Sequence, residues 1–153
     1  MDTHELPKLR LIAEDMKDLL LFSAHLQDSL LPMHSMRFIE DEGTFSSLCN
    51  RFCWEHDGKH FFEDVPLYHR VHSGLCFKHV KSVQHKGFER NSPYYTHLNL
   101  LTIHTKDEKD GLGIHLLFSG ESEIKLCVEK LYGHIGDLHQ PWPTAKKPQH
   151  FED

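Results

Sequence analysis

Four potential metal ligands fall close together in the run CNRFCWEHDGKH (49–60): Cys49, Cys53, His56 and His60. Thiolate and imidazole are the donors zinc prefers, so the run has the composition of a zinc site. Its spacing argues otherwise. The segment 45–55 reads as a strand, on which Cys49 and Cys53 share a face but stand about 13 Å apart at ~3.3 Å per residue. Two thiolates on one zinc ion, each about 2.3 Å from the metal, must approach to within roughly 4 Å of each other. The glycine- or proline-bearing knuckle that would bring them together is missing from CNRFC. The expectation is therefore no metal and no cofactor. One arrangement stays open, in which the flexible HDGKH stretch carries His56 and His60 to a ligand elsewhere in the chain.

Other titratable groups fall at suggestive spacings. SAHLQDS (23–29) reads as helix and sets His25, Asp28 and Ser29 three and four residues apart. A hydrolytic triad needs its base poised between nucleophile and orienter, beside an oxyanion hole. A regular helix without a glycine turn supplies neither, so no catalytic residue is assigned, and His25 and Asp28 are expected to cap or clamp the helix. His69 and His72, like Cys76 and His79, point to opposite faces if their segments are strands. His104 and His115 meet across a hairpin only if the register allows it.

NRFCWE (50–55) contributes Asn50, Arg51, Trp54 and Glu55. Arg51, on a strand face beside Glu55, is expected to form a partly buried ion pair with the helix, through Asp28. The functional alternative has the planar fork of Arg51 holding an anion or a partner's carboxylate, with Trp54 as an apolar wall. Both residue types are enriched among interface hot spots. Trp142, between two prolines, is expected to anchor the tail to its own domain; the alternative is a polyproline ligand. No glycine-rich phosphate loop or dinucleotide fingerprint is present.

The elements that must position these groups follow from periodicity. EDMKDLLLFSAHLQDSLLP (14–32) predicts a helix, capped by Asp15 and ended by Pro32, with Met16, Leu19, Leu20, Leu26 and Leu30 on its apolar face. LRLI (9–12) predicts a short strand before it. SMRFI and FSSLCNRFCWE flank Glu40–Gly43 as a hairpin. Residues 70–88 supply one bent strand or two short ones. HLNLLTIHT and the two halves of IHLLFSGESEIKLCVEK complete the β-structure. Leu131, Ile135 and Leu138 then follow at helical intervals and predict a short C-terminal helix, weakened by Gly133 and Gly136.

The expected fold is α+β: one domain over residues 1–140, with a mostly antiparallel sheet or partly open barrel between two helices, and an extended proline-containing tail over 141–153. At the level of architecture it resembles pleckstrin-homology-like barrels. The 153 residues, 39% hydrophobic and 26% charged, suit one soluble domain. A net charge of −6 argues against nucleic acid or an anionic membrane as partner. Fifteen histidines make the net charge sensitive to mild acid. The start lacks a signal-peptide pattern, and the four cysteines read as free thiols, so a cytoplasmic location is expected.

Taken in order, SAHLQDS (23–29), NRFCWE (50–55), FKHVKSVQ (77–84), LCVEKL (126–131) and GDLHQPW (136–142) give the chain a resemblance, over nearly its whole length, to the alphaproteobacterial family catalogued as domain of unknown function 2948. The resemblance implies a small one-domain cytoplasmic bacterial protein and no particular activity. Its pattern contains the Ser-Ala-His-Leu-Gln-Asp and Asn-Arg-Phe-x-Trp-Glu stretches but requires no cysteine at positions 49 or 53. His25, Gln27, Asp28, Asn50, Arg51, Trp54 and Glu55 are accordingly the candidate ligand- or partner-binding residues. The expected function is a non-enzymatic binding module for a protein or a small anionic ligand. The rivals are a metal-assisted hydrolase using histidines on separate strands and a structural, self-associating subunit.

Overall fold

Period-two alternation of apolar and polar side chains runs through most of the chain, and strands dominate its structure. The computed structural model describes residues 5–89 and 96–149. After β1 (Arg10–Ala13) comes the helix α1 (Met16–Leu26), then β2 (Leu30–Pro32), β3 (Arg37–Ile39) and β4 (Thr44–Phe52). A small hairpin, β5 (Phe61–Phe62) and β6 (Val65–Pro66), precedes β7 (Tyr68–Phe77) and β8 (Val80–Lys86). Three long strands follow, β9 (His97–Glu108), β10 (Gly111–Phe118) and β11 (Ser122–Val128), and then β12 (Gly133–Asp137) and β13 (Trp142–Thr144).

Apart from the β5–β6 hairpin, these strands form one antiparallel sheet in the order β1-β12-β7-β4-β2-β9-β10-β11-β8, with β3 beside β4 and β13 beside β7. The sheet is open. It curls far enough for the Val80 amide, at the start of the outermost strand β8, to donate to the Gly43 carbonyl in the β3–β4 turn at 2.9 Å. α1 covers the concave face, packing on β9, β1 and β4. Leu19, Phe22 and Leu26 enter the core, where Phe22 meets Phe77 with ring centroids 5.8 Å apart. Ser23 docks the helix by polar contact: its Oγ accepts from the Ile103 amide at 3.0 Å.

The α+β class is observed, with three local corrections. The Asp15 cap forms as expected, its carboxylate accepting from the Asp18 amide at 2.8 Å, but α1 ends at Leu26 rather than Pro32. Asp28 turns the chain with φ at 63°, and Leu31 enters the sheet fully buried. The core then takes Leu19, Phe22 and Leu26, while Met16 and Leu20 face outward. Second, β4 ends at Phe52, and Trp54–His56 form a 3-10 turn instead of continuing the strand. Third, the segment predicted as a C-terminal helix is β12, whose Gly133, Ile135 and Asp137 face inward. With an open sheet and β12 in place of that helix, the likeness to pleckstrin-homology-like barrels does not carry over.

Candidate functional site

The inward face of β4 carries Phe45, Ser47, Cys49 and Arg51. A guanidinium on a core-facing position cannot stay unpaired, because burying an isolated charge is far costlier than burying an ion pair. Arg51 is fully buried, and carboxylates meet it from two directions. Its Nη1 and Nη2 donate to the two oxygens of Glu55 at 2.9 and 2.8 Å, in a bidentate pair. Nη2 also donates to both oxygens of Asp137 on β12, at 3.0 and 3.1 Å. Nε donates to Ser73 Oγ on β7 at 3.1 Å, and Ser73 in turn donates to Asp137 at 2.7 Å. The Leu9 amide closes the set by donating to Asp137 at 2.8 Å.

Electrostatics follow from this geometry. Burial works against the charge on Arg51, but hydrogen bonds to Glu55 and Asp137 outweigh it and raise its pKa further. Burial alone would raise the Glu55 carboxyl. The close approach of His25 and the hydrogen bonds from Arg51 prevail and hold it well below the usual carboxylate range. His25 Nδ1, on the last turn of α1, lies 3.4 Å from Glu55 Oε2. The cluster thus ties α1, β4, β7 and β12 together at one point.

The other candidate residues lie around this pin. The Trp54 indole N–H donates to the Gln27 carbonyl at 2.9 Å, and its ring meets Phe52 edge-on at 4.5 Å. Gln27 is exposed, and Trp54 half-buried. Asn50 accepts from Arg70 through its side chain at 2.8 Å and through its carbonyl at 2.9 Å. Asp28 is buried, and its amide donates to Leu100. His25, Gln27, Trp54 and Glu55 therefore come together at the C-terminal end of α1, with Arg51 beneath them. Asn50 instead joins Arg70, and Asp28 anchors the helix end to β9. The expected link from Arg51 to the helix runs through Glu55 and His25 rather than through Asp28.

His25 and Ser29 do not form a base–nucleophile pair. Ser29 follows the helix end, is fully buried, and its hydroxyl has no hydrogen-bond partner. Cys49 is equally enclosed, and burial pushes its thiol up to about 12; burial does the same for Cys53. Neither sulfur is a ready thiolate nucleophile. The histidines cluster more than their spacing implied. His104 and His115 stack across the β9–β10 ladder with centroids 5.0 Å apart. His72, His139 and Trp142 form a second group, which seats Trp142 against β7. His56, His60 and His69 form a third.

Asp137 and Ser73 are the site residues that sequence reasoning missed. The available signal was Gly133, Ile135 and Asp137 alternating with His134 and Gly136, a buried strand face that the spacing of Leu131, Ile135 and Leu138 disguised as a helix.

Among the described residues, no helix is long and apolar enough to cross a membrane. No curated protein and no solved structure matches the chain. The family model described as protein of unknown function (DUF2948) matches residues 9–150, and the chain belongs to that family.

Proposed function

We propose that the chain is a non-enzymatic binding module that offers the outer face of α1, together with Gln27, Trp54 and the His25–Glu55 rim, to a protein partner. The observation that carries this is the exposure of Met16 (49%), Leu20 (66%) and Leu21 (53%) along the helix side turned away from the core. With Ala24 and Gln27 they make a strip ending at the Trp54 ring, and apolar surface concentrated in this way marks interaction sites. The buried Arg51 cluster supports the reading by holding the helix end rigid, which lowers the ordering cost of association. Glu14, Asp15 and Asp18 border one end of the strip and Glu55 the other. Lys17 is exposed on the same helix side as Leu20 and Leu21, so the acidic groups outnumber the one lysine. A partner with an apolar centre and a basic rim fits this surface better than a second copy of the chain. Leu20→Glu tests it: specific partner binding is lost while a control, Lys130→Glu, retains it. Equal binding by both variants would remove the helix face from consideration.

A small anionic ligand is the second reading, and one feature favours it. A groove of about 530 Å³ on the outer side of the sheet is lined by Lys8, Arg10, Arg37, Ser46, Gly74 and Gly136, among others. The anion site then lies at these exposed cations, because Arg51 is already engaged by two carboxylates.

A further inference from the structure

The curl of the sheet brings β8 up to β3 without closing a ladder between them. Among the described strands β3 pairs only with β4, and β8 only with β11. The Val80–Gly43 hydrogen bond fastens the seam at one end, where β8 begins and the turn after β3 lies. Away from that bond the two edges enclose a cavity of about 210 Å³. Met33, Met36, Phe45 and Ile124 are its buried lining. Phe38 from β3, and Val83 and Phe88 from β8 and the residues after it, are half-buried and pack against the same core.

Two polar side chains border the cavity, Arg37 on β3 and His85 on β8, and both are exposed. The His85 ring stacks on Phe88 with centroids 4.9 Å apart and planes 29° apart. No carboxylate lines the cavity. Among the described residues Arg37 has no carboxylate partner. No group of three His, Cys, Asp or Glu among those residues is placed to hold a metal. An apolar interior with a few polar groups at its border is the usual make-up of a small-molecule site.

We propose that this seam binds a carboxylic acid with an unbranched apolar chain of about eight carbons. The chain lies between β3 and β8, and the carboxylate meets Arg37 beside His85. Size sets the chain length. A dry cavity of about 150 Å³ takes benzene, which has six carbons, so about 210 Å³ takes roughly eight. A slot between two strands favours an extended chain over a branched one, and the thioethers of Met33 and Met36 adapt to its contour. Charge sets the head group, because the planar fork of a guanidinium matches a carboxylate. A peptide added as a strand fits less well. That mode draws its affinity from main-chain hydrogen bonds, and β3 offers only three residues of edge. No α1 residue lines the seam, so the proposal does not depend on the helix surface described above.

The test uses the full chain, stripped of lipid on a hydrophobic resin and titrated with sodium octanoate by calorimetry. The expected result is one octanoate per chain with a Kd below about 1 mM. Octan-1-ol, which keeps the chain and lacks the charge, binds at least about tenfold more weakly. Arg37→Gln removes the preference: octanoate binding falls about tenfold and octan-1-ol binding is unchanged. Val83→Phe fills the slot and weakens both. In the wild-type chain labelled with 13C-methyl methionine, octanoate shifts the Met33 and Met36 methyl resonances and leaves that of Met16, on α1, in place. This readout stands even if a variant misfolds. Absence of saturable binding, shifts at Met16 instead, or octan-1-ol binding as tightly as octanoate would each overturn the site. So would unchanged octanoate affinity in folded Arg37→Gln, or an equal loss in Arg10→Gln, which places the anion in the outer groove.

Discussion

The Arg51 guanidinium and the Asp137 carboxylate meet at 3.0 Å with their side chains 0% and 1% exposed, joining β4 to β12 across the intervening β7. Removing one partner strands the other charge in the core, whereas replacing both with apolar groups removes the desolvation problem together with the attraction. Arg51→Met is therefore expected to destabilise the chain by about 3–5 kcal/mol, and Arg51→Met with Asp137→Leu to recover a large part of that loss. Urea unfolding of the two variants beside the wild type measures both effects. Additive losses would contradict the pairing.

Glu55 gives the cluster an acid limit. Its folded pKa is depressed, so its contribution to stability is full above the unfolded value of ~4.3 and is lost as pH falls toward the folded value. Unfolding midpoints recorded from pH 7 down to pH 3 should show the wild type losing its advantage over Glu55→Gln below about pH 4.3. Two curves that remain parallel throughout would mean that Glu55 is not held by His25 and Arg51 in solution.

Gly133 is a strand residue because of what faces it. A Cβ built there would lie 2.7 Å from the Phe77 ring, and the two residues pair across β12 and β7. Gly133→Ala should therefore cost about 1–3 kcal/mol through overpacking. In a helix the same change would stabilise, since alanine is the better helix former. The sign of the change in melting temperature separates the two.

That position also shows where the sequence was legible. Asp15 as a helix cap, the β3–β4 hairpin and the β10–β11 hairpin were readable because each depends on neighbouring residues. The end of α1 was not, because Leu30 and Leu31 continue an apolar pattern that tertiary pairing with β4 and β9 claims for a strand. The candidate site was half legible. Arg51 and Glu55 read as neighbours on one strand face and a buried ion pair at Arg51 was foreseen, though with Asp28 as its partner; Asp137 lies 86 residues from Arg51, and no local pattern reports a contact at that separation. The third histidine group was hidden likewise: His56 and His60 were visible as a pair, while its third member, His69, required the fold.

The claim that α1 presents a binding face is tested most directly by site-specific photo-crosslinking in the native cell. A benzophenone side chain is placed at position 20 in one chain and, in another, at position 125, on β11. The account predicts that position 20 gives one dominant crosslinked partner protein and position 125 does not, with the crosslink abolished by Trp54→Ala in a folded chain. Equal crosslinking from both positions, or a dominant product that is a second copy of this chain, would contradict it.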